Sequence, residues 1–154
     1  MYAAALPMKL RRTFLAIVLV APLAVAVTPV VPASAASEAA PVEVTAKLVE
    51  IPSKFPPDDL YDYAYVMRYQ VTGGPLDGQS ILVAHYKPRQ PRSKIKDKMK
   101  PFVGGKLRSF TVGDVHKLKL SPDIKKIYPG NVVDDFSATD RKSPRYWALE
   151  ANPA

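Results

Sequence analysis

Over residues 61–72 the chain alternates without a break. Tyr61, Tyr63, Tyr65, Met67, Tyr69 and Val71 fall on one side of an extended ribbon, and Asp62, Ala64, Val66, Arg68, Gln70 and Thr72 on the other. A two-residue period is the mark of a strand, because helical spacing would scatter the tyrosines around the axis. Gly73, Gly74, Pro75, Asp77 and Gly78 then form a turn cluster, and Ser80–Tyr86 is a second β-rich run. The two runs read as an antiparallel hairpin that carries five tyrosines and the centre of a core. Since the opposite face is the more polar, the tyrosine and methionine face is expected to be buried, with its hydroxyls reaching partners at the rim. Tyr61 and Tyr63, at the entrance of the run, are the expected exceptions.

The flanking segments extend this pattern. Val42, Val44, Ala46 and Leu48 alternate with Glu43, Thr45 and Lys47 as a half-buried strand does, and Val49 and Ile51 then shift phase as at a β-bulge. Pro88 and Pro91 close the third strand. Over residues 92–100, Ile95 and Met99 lie four apart among lysines, which predicts a short helix ended by Pro101. Residues 106–112 and 115–120 read as strands joined by a tight turn at Gly113 and Asp114. Residues 122–145 are rich in turn formers, and 145–149 reads as a terminal strand with Trp147 as a core plug.

This order of elements, with one short helix between the third and fourth strands, resembles the oligonucleotide/oligosaccharide-binding barrel, or OB-fold. The expected fold is therefore mainly β: a small antiparallel β-barrel over residues 42–150 with 151–154 as a tail, the alternative being a β-sandwich with an inserted helix. The resemblance rests on element order and not on a motif. In barrels of that kind, outward aromatic side chains stack on bases or sugars.

The N-terminal 35 residues read as an export signal. Lys9, Arg11 and Arg12 precede an apolar run over residues 14–27, and Ala33, Ser34 and Ala35 offer a peptidase small residues, with cleavage after Ala35 or Ala36. Met8 stands directly before the basic stretch and is the better start in physical terms. Arg11-Arg12-Thr13-Phe14-Leu15 resembles the twin-arginine export pattern; the general secretory route is the alternative. An uncleaved anchor is a further reading, although Pro22, Pro29 and Pro32 interrupt the roughly 20 apolar residues that a span requires. The expected location is the periplasm or the outside of the cell, with membrane contact only through this segment. Residues 36–41 read as a flexible start to a single mature domain.

No cysteine is present, which excludes disulfides, thiol redox chemistry, thiolate metal sites and a cysteine-linked lipid. After residue 35 the net charge is +5, unevenly placed: residues 36–86 carry three basic against seven acidic residues, and residues 87–126 thirteen against three. The candidate ligand-binding residues are the cations Lys87, Arg89, Arg92, Lys94, Lys96, Lys98, Lys100, Lys106 and Arg108, with Tyr61 and Tyr63. Such a run attracts phosphate, sulfate or uronate groups, and its simplest alternative role is to face the chain's own acidic first third.

An anionic polysaccharide or an exported partner protein is the expected ligand, and export argues against nucleic acid. Asp58, Asp59 and Asp62, and likewise Asp134, Asp135 and Asp140, lack the alternating ligands and glycine of a calcium loop and read as capping or solubilising groups. His85 and His116, the two histidines, lie in strand-like runs without the spacing of a zinc site. No metal and no cofactor is implied. A triad of Ser80, His85 and Asp77, or a hydrolase using His85 with a carboxylate, is the enzymatic alternative to a binding module.

Overall fold

The computed structural model describes residues 39–52, 55 and 60–154. Residues 1–35, whose pattern predicts an export signal, residues 36–38, and Asp58 and Asp59 lie outside the described residues.

Among the described residues seven strands join one mixed sheet: β1 (Val42–Glu50), β2 (Ala64–Gly73), β3 (Ser80–Tyr86), β4 (Gly104–Gly105), β5 (Val115–Ser121), β6 (Val132–Val133) and β7 (Arg145–Pro153). One short helix, α1 (Ile124–Ile127), follows β5. Five strands close a ring of hydrogen bonds, in which β1 pairs with β5, β5 with β7, β7 with β3, β3 with β2, and β2 with β1 again. The hairpin forms as the alternation predicts, in register from Ala64 opposite Tyr86 to Gln70 opposite Ser80. β1 is held from both sides, and its pairing with β2 shifts register between Leu48 and Glu50, where the change of phase predicts a bulge.

The ring encloses one apolar cluster. Val44, Ala46 and Leu48 of β1, Met67, Tyr69 and Val71 of β2, Ile81 and Val83 of β3, and Leu118 and Leu120 of β5 meet there with Ala148 and Ala151 of β7. A second cluster lies on the other side of the sheet. Ala64, Val66, Leu82, Ala84, Tyr86 and Trp147 are covered by Ile95, Met99, Val103, Tyr128 and Phe136. Residues 81–86 are consequently buried on both faces. Trp147 has no exposed surface, stacks on Tyr128 and donates its indole N–H to the carbonyl of Phe102 at 2.8 Å, which makes it the core plug expected.

Several expectations are corrected. The sheet is mixed and not antiparallel: β3 with β7, β4 with β7, and β2 with β6 are parallel pairs. A parallel pair needs a long crossover, which residues 87–144 supply between β3 and β7. A sandwich requires two sheets, whereas all seven strands here share one. The helix expected over residues 92–100 is replaced by two 3-10 turns, Arg92–Lys94 and Lys100–Phe102, so no α-helix separates the third strand from the fourth. Residues 106–112 form no strand. Gly113 and Asp114 pair instead with Leu48 of β1, through Gly113 N–H to Leu48 O and Leu48 N–H to Asp114 O at 2.8 Å each. β7 runs through Pro153, so residues 151–153 of the expected tail continue a strand.

Candidate functional site

The cation-rich residues 87–108 form a strap across the outer apolar cluster. Ile95, Met99 and Val103 point inward at intervals of four and are buried, while Lys94, Lys96, Lys98, Lys100, Lys106 and Arg108 are exposed between and beyond them. The four-residue spacing of Ile95 and Met99, which predicts a helix, continues to Val103 as the spacing of three apolar pegs. Pro91 and Pro101 restrict the backbone at either end of the first two pegs, which favours turns over a continuous helix.

The root of the strap is a turn wrapped around Arg92. This side chain is buried, 3% exposed, and its guanidinium donates to the carbonyls of Tyr86, Lys87 and Gln90 at 2.6, 2.7 and 2.9 Å. Lys87 adopts a left-handed backbone, with φ of 38°, to make that turn. Arg92 therefore organises the strap from within and is the one candidate cation withdrawn from the surface.

Two more candidates are engaged by the chain's own acids. Lys87 Nζ lies 2.9 Å from Asp62 and 3.6 Å from Asp97, and Lys98 Nζ lies 3.4 Å from Asp62. The Tyr86 hydroxyl stands 2.7 Å from Asp62 Oδ1 and 2.9 Å from Asp97 Oδ2. Hydrogen bonds from Lys87 and then Tyr86 hold the Asp62 carboxyl down to about 2. Burial alone would lower the Lys87 ammonium, but the two carboxylates outweigh it and raise it above its usual value. For Lys87 and Lys98 the bland alternative of internal neutralisation therefore describes the structure.

Lys94, Lys96, Lys100, Lys106 and Arg108 make no ion pair among the described residues, and Arg89 is exposed. Lys106 stands apart from the other strap lysines. It borders a depression with Lys117, Glu150 and Asn152, next to an open groove of about 450 Å³ on the outer face of β1, β5 and β7. Rows of facing residues cross that surface, Glu43–Lys119–Glu150 and Thr45–Lys117–Asn152. The alternation of β5 foretells these outward lysines.

The two tyrosine candidates separate. Tyr61 is 78% exposed ahead of β2, whereas Tyr63 is 4% exposed and belongs to the core. The acidic residues act within the fold. Asp134 accepts the Arg145 Nε–H at 2.8 Å, and Asp140 accepts from the Ser143 hydroxyl at 2.8 Å and the Ser143 amide at 2.9 Å. Among the described residues no group of three or more acidic or histidine side chains is placed to hold a metal, and no helix is long and apolar enough to cross a membrane.

The histidines occupy the interior of the ring. Tyr69 Oη lies 3.2 Å from His85 Nε2 and 3.2 Å from His116 Nδ1, and all three side chains are buried. Phe110 packs on both imidazoles, with centroid separations of 4.4 Å to His85 and 5.8 Å to His116. Arg92 lies over the Phe110 ring at 5.4 Å. Burial, followed by the positive charge of Arg92, pushes His85 well below its ordinary value. Burial also lowers His116, against the pull of Asp114. Burial raises Tyr69. Ser80 and Asp77 lie at the far end of the hairpin, five and eight residues before His85, and Ser80 has the opposite strand parity, so the structure does not bring the three together. No carboxylate bonds to His85 among the described residues. Searches against family models, curated proteins and solved structures return no match.

Proposed function

We propose that this chain is an exported, non-enzymatic binding module whose strap takes hold of an anionic polysaccharide outside the cytoplasm. The observation that carries the reading is the division of labour within the strap. Ile95, Met99 and Val103 are spent on the core, Phe102 is the large apolar side chain of the strap left exposed, and Lys94, Lys96, Lys100, Lys106 and Arg108 are outward without acidic partners among the described residues. A protein interface usually has an apolar centre. The outward side chains of residues 94–100 are all polar, which suits a hydrated polyanion better. Export is supported by the basic and apolar pattern of residues 1–35. We read the five-strand ring as an OB-like barrel, a reading supported by its closure and by the strap that crosses between the third strand and the rest.

The test is binding to heparin and alginate across a salt series. Affinity is expected to fall at least tenfold from about 0.05 to 0.5 M salt, because screening weakens exposed charge pairs. Replacing Lys94, Lys96, Lys100, Lys106 and Arg108 together by Gln should abolish binding, whereas Lys125→Gln with Lys126→Gln on α1 should leave it intact. Failure to bind either polymer at any ionic strength overturns the reading. Binding to polyglutamate alone would reassign the strap to an acidic protein.

A further inference from the structure

The ring interior holds two histidines that neither the core nor the strap requires. Tyr69 has a single hydroxyl proton, so with both imidazoles neutral it donates to one and accepts from the N–H of the other. Each ring then keeps one more nitrogen, and His85 Nδ1 and His116 Nε2 are both buried without a hydrogen-bond partner. Whichever tautomer pair forms, one stranded nitrogen carries a hydrogen and the other a lone pair. Leaving buried polar atoms unsatisfied costs stability, so apolar side chains of the same shape would give a more stable ring. The arrangement is a poor way to fill a core and a good way to sense protons.

We propose that His85, Tyr69 and His116 form an acid-sensitive latch: on protonation of the two imidazoles, the Phe110 segment lifts from the end of the ring and admits water to them. The stranded lone pair is the first place for an added proton, and the cation it creates has no acceptor where it sits. The charged and titratable groups facing the pair are Tyr69 from β2, Arg92 from the strap and Asp114 at the entrance to β5. Arg92 opposes a charge on His85, whereas Asp114 favours one on His116, so His116 takes the first proton and His85 the second.

Phe110 is the half-buried ring among those covering the pair, and it lies on the irregular stretch 106–112. That stretch is tied down by a handful of bonds: Arg92 N–H to Leu107 O at 2.9 Å, Lys106 N–H to Ala151 O at 3.1 Å and to Asn152 Oδ1 at 2.9 Å, Leu107 N–H to Ala151 O at 3.1 Å, and just beyond it Gly113 N–H to Leu48 O and Leu48 N–H to Asp114 O at 2.8 Å each. It can therefore open without dismantling the β2–β3 hairpin.

The sign follows from linkage. Both imidazoles lie below 6.5 in the closed form, so the open form binds protons more tightly. The closed form is fully favoured above pH 6.5 and loses ground as pH falls from there towards the closed-state values. With two protons taken up, the opening constant rises by up to about 100-fold per pH unit in that window. The moving stretch includes Lys106 and Arg108 of the strap, but the latch is tested without a polyanion and so stands or falls apart from the binding reading.

The test is amide hydrogen exchange of the full chain at about pH 7.5 and about pH 5, corrected for intrinsic rates. Protection at Arg92 and Gly113 should fall by at least about tenfold on acidification, while β2–β3 amides such as Val71 hold theirs. His85→Gln combined with His116→Asn places amide nitrogens where Nε2 and Nδ1 stood, keeps bonds to Tyr69 and cannot titrate. That variant should retain protection at the lower pH. Equal protection of the parent at both pH values overturns the latch, as does an equal loss in the double variant or a simultaneous loss across β2 and β3. Should the variant not fold, imidazole titration of the parent by NMR decides: midpoints below 6.5 that coincide with loss of Gly113 protection support the latch, and midpoints near 6.5 with Gly113 still protected overturn it.

Discussion

Asp62 collects a phenol and two ammonium groups at one carboxylate, and the question is how much that contributes to stability. Its side chain is 40% exposed, so solvent screens the pairs with Lys87 and Lys98. Asp62→Asn should therefore destabilise the chain by only about 1 kcal/mol at neutral pH, measured by urea unfolding. A carboxylate held at about 2 instead of 3.8 contributes while it is ionised, and the contribution disappears as pH falls through that interval. The gap between parent and variant should accordingly narrow below about pH 4. Single residues also show what could be read in advance. His85 shares the parity of Ile81 and Val83, and His116 that of Leu118 and Leu120, so alternation alone assigns both to the interior. His85 meets Tyr69 within the hairpin, but the approach of His116, 47 residues from Tyr69, could not be read because it depends on β1 pairing with both β2 and β5.

The elements were legible where one period ran long enough. β1 and the hairpin follow from alternation, since burying one face of a ribbon demands it, whereas the start of β7 is legible only as a short apolar run. The strap is the exception, because Ile95 and Met99, four apart, look like a helical face and nothing local reveals that a sheet lies beneath them. Residues 106–112 form no strand because Leu107 and Phe110 are three apart, off a two-residue period, and the amides of Lys106 and Leu107 turn to Ala151 instead of a ladder. Two glycines bracket this stretch and predict unequal sensitivities. Both have a left-handed backbone, with φ of 108° at Gly105 and 100° at Gly113. A methyl group on Gly105 would run into the backbone of Ala151, whereas one on Gly113 would meet open space. Gly113→Ala should cost about 1–2 kcal/mol from backbone strain alone. Gly105→Ala should lower the melting temperature far more, because β4 must also part from β7; equal thermal shifts would contradict this account.

The molecule as a whole depends on closure, and the closing strand is the last one. β7 pairs with β3, β4 and β5 and sends Ala148 and Ala151 to one cluster and Trp147 to the other. Ending the chain at Glu150 would remove three facing pairs with β5 and the carbonyl that holds Lys106 and Leu107. Such a chain should lose its cooperative thermal transition by circular dichroism, whereas removing Ala154 alone should cost about 1 kcal/mol, the worth of one hydrogen bond. This closure was beyond local reading, since a parallel pair between β3 and β7 joins segments separated by the entire basic third. It also leaves little backbone on offer. Among the described residues, the strands outside the ring are β4 and β6, each of two residues. A neighbour seeking a template to zip onto finds almost none, so crowding many copies together need not seed fibres.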